Sequence, residues 1–315
     1  MESGQCTGPS VVLAVDIGGT TVKGSVFVEG VELSPGRTVP TFKGSLGAFD
    51  AVLAMVSGLA RTARALGHEP TAIGAGTPGL VDTRAGLVCY ASNLGWTNLP
   101  LGQLLEERVG VPALIDHDAR TAARAEMAVR PALQDFVFIP IGTGVSGAVV
   151  TAGKTVIGAR GQAGELGHVP TMPNGRPCSC GQFGCLEAYA SASAVLAGYI
   201  AAGGTADSAE EVAALVGTDA LADEAWSEAV NALAKGIIML TATLDPAEII
   251  IGGGLSAAGP VLLDPLREKV GNLLGWRDSP AISTSHAGPR AGLIGAALLG
   301  TTVQSSFSHT SQGSP

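Results

Sequence analysis

LAVDIGGTTVKGSVF, residues 13–27, decides how the chain is read. An apolar run beginning at Val11 stops at Asp16 and the pair Gly18–Gly19, and a second strand-like segment follows. That pattern predicts a β-hairpin closed by a polar, glycine-rich turn. The same sentence is written again at residues 135–150, DFVFIPIGTGVSGAVV, as strand, turn and strand. The echo suggests two similar α/β lobes facing a cleft. Helical periodicity covers residues 47–66, and TAIGAGTPGLVD (71–82) reads as a strand entering a Pro-Gly loop. LGQLLEERVG (101–110) is a short helix, VPALIDHDA (111–119) a strand with a polar end, and ARTAARAEMAV (119–129) a helix. Residues 186–240 are Ala-rich helix with two breaks, AEIIIGGGLS (247–256) is a strand into a glycine turn, and 260–275 and 292–300 are helical. The polar stretch from about 303 to 315 reads as a disordered tail.

The bulk numbers agree with such a fold. In 315 residues the hydrophobic share is 46% and the charged share only 14%, enough for a sizeable core, and 45 glycines suit many tight turns. A net charge of −9 argues against a nucleic-acid or anionic-membrane partner, which would want a basic face. The start MESGQCTGPS has no basic, signal-like segment, and no run reaches the ~20 uninterrupted apolar residues of a membrane span. A cytoplasmic protein is expected. There, the clustered thiols of HVPTMPNGRPCSCGQFGCLE (168–187) are more often metal ligands or catalysts than disulfides.

Several glycine motifs are decoys. GAGTPG (74–79) and GTGVSG (142–147) both fit G-x-G-x-x-G, but neither opens a helix, which a dinucleotide site requires. AVVTAGKT (148–155) misses a Walker A loop by its first glycine and reads as a hairpin turn. Three turns remain as phosphate or nucleoside candidates: DIGGTT (16–21), IGTGVSG (141–147) and IGGGLS (251–256). Backbone free of side chains lets N–H groups crowd phosphate oxygens, threonines add hydroxyl donors, and Asp16 can hold a magnesium ion or its water. Asp118 is by itself either a helix N-cap or a general base.

Taken together, LAVDIGGTTVKGSVF, GAGTPGLVD, SNLGWTNLPL, IDHDARTAARAE, IGTGVSGAVV, GQAGELGHVP, CSCGQFGCLEAYAS and IIIGGGLS resemble the ROK family, bacterial sugar kinases and sugar-responsive repressors, over residues 11 to 300. The resemblance implies an α/β chain of two RNase H-like (actin-like ATPase) lobes around a central cleft. It places 11–118 plus 290–302 in one lobe and 119–289 with a zinc loop in the other. It implies ATP with Mg2+ as cosubstrate, the sugar as substrate, a structural Zn2+, and a homodimer. Asp16, Gly18, Gly19, Thr20 and Thr21 would form the first phosphate loop, and Gly142, Thr143 and Gly144 the second. Gly253 and Gly254 would meet adenosine. Asp118 would be the base that takes the proton of the sugar C6 hydroxyl, leaving Asp116 a structural role. Gly79, Asn93, His117, Glu165, His168 and Glu187 would complete the sugar site. His168, Cys178, Cys180 and Cys185 form the Cys3His set of a closed zinc site, and a Cys178–Cys180 disulfide would be strained and strand Cys185. The other imidazole nitrogen of His168 is then left for a sugar hydroxyl. Cys6 and Cys89 receive no role.

The chain departs from the family at His117, where an Asn commonly precedes the catalytic Asp, and at Lys23, displaced by two places along the first loop. An imidazole in place of an amide opens the sugar's identity: glucose, an N-acetylated hexosamine, or an amino sugar such as kanosamine, whose C3 amine could donate to an unprotonated His117 nitrogen. The alternatives are a sugar-responsive regulator, for which about ten residues before the first strand leave no helix-turn-helix, and a sugar-binding protein without catalysis, against which Asp16 and Asp118 weigh. Polyphosphate is a second candidate donor, disfavoured by the few basic residues near the motifs.

Overall fold

A computed structural model describes residues 8–33, 35–41 and 44–309; Cys6 lies outside them. The chain divides into two compact units, one formed by residues up to Ala125 together with those from Arg290 onward, the other by Glu126–Pro289.

In the first unit β1 (Val11–Ile17) and β2 (Thr21–Val28) form the hairpin, followed by β3 (Val31–Glu32), β4 (Arg37–Pro40) and helix α1 (Ser45–Ala65). Next come β5 (Ala72–Thr77), β6 (Leu80–Asp82), β7 (Leu87–Ala91), β8 (Trp96–Leu99), α2 (Leu101–Val109), β9 (Ala113–His117) and α3 (Asp118–Val129). The main sheet runs β3-β2-β1-β5-β9, with β4 also on β2. The hairpin is antiparallel, whereas β5 and β9 add in parallel. Strands β6, β7 and β8 make a separate antiparallel sheet.

Strand β1 is apolar up to Asp16 because both its faces are covered. Val11, Leu13, Val15 and Ile17 pack with α1 residues such as Val52 and Val56. Val12 and Ala14 point the other way, to Val303 and to Leu293, Ala296 and Ala297 of the last helix, α9 (Ala291–His309). Alternation therefore sends Asp16 to the α9 side, where a Cβ on Gly292 would lie 2.8 Å from its carboxylate atoms. Helix α1 is, among the described residues, the one helix long and apolar enough to cross a membrane, but half of that stretch is buried and it packs on the sheet.

The second unit continues with β10 (Phe136–Pro140), β11 (Ala148–Thr151), β12 (Lys154–Thr155), the helical segments α4 (Glu187–Ala190), α5 (Ala192–Ala201), α6 (Ala209–Leu215) and α7 (Ala220–Leu244), then β13 (Glu248–Gly252), α8 (Pro260–Leu273) and β14 (Ala281–Thr284). Its sheet runs β12-β11-β10-β13-β14. An antiparallel hairpin again sits beside two parallel strands, so the echo in the sequence is an echo in topology.

The structure differs from the sequence reading at the end of the chain and at the passage between the units, and it adds the strands β7 and β8. α9 continues through residues 303–309, which were expected to be tail, because neither Gly nor Pro interrupts 301–309 and Val303 is buried against Val12 and Ala72. Residues 310–315 lie outside the described residues. The chain's first passage between units falls after Ala125, inside α3, rather than at 118.

Helix α9 approaches its neighbours at backbone distance. A Cβ on Gly74 of β5 would strike the Ala296 carbonyl, and one on Gly295 would strike the Thr121 carbonyl of α3. Main chain cannot yield as a side-chain tip can, so Gly74→Ala and Gly295→Ala should each cost at least about 2 kcal/mol and lower the melting temperature by several degrees. Gly275→Ala, with nothing within 4 Å and ordinary backbone angles, should be neutral or slightly stabilising. Equal melting of all three variants would contradict this packing.

Candidate active site

The first unit gathers its polar groups at the ends of β1, β5 and β9. Asp16 stands near the end of β1, opposite Lys23 of β2 and beside Gly76 of β5. The turn after it is tight: Gly18 N–H donates to the Thr21 carbonyl at 2.8 Å, and the Thr41 hydroxyl donates to the Gly18 carbonyl at 2.8 Å. Gly19 and Thr20 are exposed at the tip, with Asn93 of the turn Ser92–Leu94 3.7 Å from a Cβ placed on Gly19. Burial first, then the neighbouring charge of Asp118, push the Asp16 carboxyl up to about 6, against the pull of Lys23. Lys23, which the sequence left without a partner, is thus a cation beside the carboxylates. Gly79 holds φ +96° with its Cα pressed on the Tyr90 carbonyl, so turn geometry alone requires glycine there.

Three consecutive polar residues end β9 and begin α3, and their surroundings separate their roles. Asp116 is fully buried. Its Oδ1 accepts from Arg120 Nε at 2.6 Å, Thr83 Oγ1 at 3.0 Å and His117 N–H at 2.8 Å, and its Oδ2 from Arg124 at 3.2 Å. Burial would raise the Asp116 carboxyl, but the two guanidinium groups hold it below the usual range. Asp116 is a structural anchor for α3. Asp118 keeps 32% of its side chain exposed, and its Oδ1 accepts the Ala119 N–H at 2.6 Å. His117 is buried, its Nδ1 3.1 Å from Asp118 Oδ1 and 3.2 Å from the Ala119 nitrogen. Sequence reasoning missed the arginine cage, although the spacing of Asp116, Arg120 and Arg124 at four-residue steps could have suggested it.

The second unit holds the remaining candidates. In the loop after β10, Gly142 N–H donates to the Gly144 carbonyl at 2.9 Å, leaving Thr143 exposed at its crest. After β13, Gly253 has φ +76° and lies against the Ile141 backbone, so the loops that follow neighbouring strands touch. Glu165 precedes the turn Leu166–His168, and Glu187 opens α4. Thr143 and Glu187 line a cavity of about 260 Å³ together with Cys178, Ser179 and Ser191.

His168, Cys178, Cys180 and Cys185 bring one donor atom each to within 4.8 Å of one another. The Cys180 and Cys185 sulfurs are 3.7 Å apart, as are Cys178 Sγ and His168 Nδ1. Zinc–sulfur bonds of about 2.3 Å in a tetrahedron require edges of roughly 3.8 Å, so the donor set fits the ion. Burial and the adjacent thiols push Cys185 up to about 12, a cost that a bound divalent cation would reverse by stabilising thiolates. Glycines at φ +88° (Gly181) and +74° (Gly184) let the knuckle turn. Cys89 is a free thiol apart from this cluster.

Comparison with known proteins places these features in a lineage. The profile of the ROK family matches residues 12–303. A glucokinase of Streptomyces coelicolor is 33% identical, covering 92% of this chain and 97% of its own. An N-acetylmannosamine kinase of Salmonella newport is also 33% identical, covering 91% and 97%. The structure of a ROK family glucokinase from Streptomyces griseus in complex with glucose and AMPPNP has a TM-score of 0.80 at 32% identity, covering 93% of this chain and all of that one. With its motifs, its repeated sheet topology and matches along nearly its whole length, this chain belongs to the ROK family.

Proposed function

We propose that the protein is an ATP-dependent hexose 6-kinase in which Asp118 is the general base. A sugar hydroxyl is a weak nucleophile, so a carboxylate must orient it and accept its proton as the oxygen attacks the γ-phosphorus and ADP leaves. The observation that carries this reading is the contrast within β9–α3. Asp116 is consumed by two arginines, while Asp118, two residues on, presents a part-exposed carboxylate beside Asp16. The Ala119 N–H on Asp118 Oδ1 fixes the carboxylate's orientation, and a carboxylate can accept further hydrogen bonds.

Asp16, with Lys23 alongside, serves the phosphate end. Magnesium, when bound with ATP, supplies charge neutralisation of the phosphates, and Asp16 would hold it or its water. The turns at Gly18–Thr21 and Gly142–Gly144 offer backbone N–H groups to phosphate, and Gly253–Gly254 meets the nucleoside. Asn93, Glu165, His168 and Glu187 hold sugar hydroxyls. His168, Cys178, Cys180 and Cys185 would hold a zinc ion that ties the knuckle together, and the imidazole nitrogen of His168 not used for the ion would be offered to the sugar.

The sugar itself is the finer question. A glucokinase and an N-acetylmannosamine kinase are each 33% identical to this chain, so percentage identity does not choose between substrates. His117 favours glucose or a modified glucose such as the amino sugar kanosamine. Its Nδ1 lies between the Ala119 N–H, which it accepts at 3.2 Å, and Asp118 Oδ1 at 3.1 Å, and a sugar hydroxyl or amine can meet a ring nitrogen either as donor or as acceptor.

Three outcomes follow from this site. Asp118→Asn removes the proton acceptor at constant size, so turnover should fall on the order of 10²–10⁴-fold with sugar binding partly kept; near-normal turnover would reject the assignment. His117→Asn should shift the ratio of kcat/KM between amino sugar and glucose by roughly ten- to a hundredfold toward glucose, since a mismatched buried hydrogen bond costs about 1–3 kcal/mol. An unchanged ratio would make His117 a neutral replacement and plain glucokinase the better reading.

The third concerns Asp16, whose native carboxyl is raised from 3.8 to about 6. The native state holds that proton more tightly than the unfolded chain does. Stability should therefore fall as pH rises from about 4 through 6, by an amount on the order of 2–3 kcal/mol. Without nucleotide or metal, Asp16→Asn should melt above the wild type at pH 7.5, and the gap should close near pH 4. A gap that does not vary with pH would contradict the buried charge.

A further inference from the structure

The Val145 peptide, in the middle of the loop between β10 and β11, is held at both ends. Its N–H donates to Glu187 Oε2 at 2.9 Å. Its carbonyl lies so close to Gly167, in the turn that carries His168, that a Cβ there would collide with it. Gly144 is equally constrained, since a Cβ on it would stand 2.5 Å from the same Glu187 oxygen. Backbone bonds complete the loop: Gly142 N–H to the Gly144 carbonyl at 2.9 Å, and Ala192 N–H to the Gly142 carbonyl at 2.8 Å. Glu187 adds a side-chain tie. Its own place is set by the knuckle, since Leu186 N–H donates to the Val169 carbonyl at 2.9 Å and Cys185 is the adjoining ligand candidate.

We infer that Glu187 positions the nucleotide's phosphate loop in addition to touching sugar, so that the sugar-binding segment and the phosphate loop of this unit are fastened through one carboxylate. The inference rests on the kinase reading above. Its chemistry gives a directional test. A carboxylate beside phosphates acting only as a charge repels them, so its removal would tighten nucleotide binding. A carboxylate that holds the Val145 N–H shapes the loop, so its removal weakens nucleotide binding even when no sugar is present.

The experiment is calorimetric titration of the full-length protein with magnesium AMPPNP in the absence of sugar, with melting curves as the check on folding. Glu187→Ala should bind roughly 10- to 150-fold more weakly than wild type, as expected for loss of a hydrogen bond to a charged acceptor. Glu187→Gln, whose amide oxygen can still accept the Val145 N–H, should stay within about threefold while its sugar KM rises. Gly144→Ala displaces the carboxylate from the opposite side and should weaken nucleotide binding as well. The double variant Gly144→Ala/Glu187→Ala should be no weaker than the worse single change. Unchanged or tighter binding by Glu187→Ala and Gly144→Ala would overturn the inference, as would a loss in Glu187→Gln equal to that in Glu187→Ala. Failure of the wild type to bind magnesium AMPPNP would sink the kinase reading itself, and this inference with it.

Discussion

A strand buried on both faces that must end in a charge is the constraint from which the first unit follows. Strand β1 is covered by α1 on one side and α9 on the other, so its residues are apolar until Asp16, where the sheet's edge brings a carboxylate out under Gly292. The charge is costly there, as its raised proton affinity shows, and a glycine turn follows because the chain has to reverse without side chains in the way. A carboxylate of that kind suits a cation, such as the metal that accompanies a nucleotide's phosphates.

The second unit uses the same strand arrangement for a different purpose. Strand β10 is equally buried, but the turn after it carries no acid of its own and takes Glu187 from α4 instead. That glutamate is fixed by a knuckle of three thiols and an imidazole, whose convergence has no use for an apolar core and every use for a thiophilic ion. The thiol–imidazole cluster and the glutamate that holds the loop thereby fall within one segment of about twenty residues, 168–187.

Much of this was legible in the sequence where local chemistry decides the outcome. The Asp-Ile-Gly-Gly run that ends β1 and opens the turn, the echo at β10, and the spacing of Cys178, Cys180 and Cys185 all survive in the structure because each depends on near neighbours. The strands β7 and β8 were passed over, since LVCYA and WTNL are short and carry little alternation. The extension of α9 was missed because polar residues were read by composition, whereas one apolar side chain, Val303, docks that turn on the sheet. Two facts were not legible: that Lys23 stands across from Asp16, which the register of the hairpin decides, and that Glu187 reaches back 42 positions to the Val145 amide. Tertiary contacts of this sort leave no periodic trace.

The central claim is that the chain transfers the γ-phosphate of ATP to the C6 oxygen of a hexose. The most direct measurement is to incubate the wild-type protein with magnesium ATP and, in separate reactions, glucose, mannose, N-acetylated hexosamines and kanosamine, and to locate the phosphate in each product by phosphorus and carbon NMR. The account predicts sugar-dependent ADP release matched one for one by a hexose 6-phosphate, with glucose or its amino derivative turned over fastest. Absence of ADP release with every sugar, or phosphate carried on an oxygen other than that of C6, would contradict it.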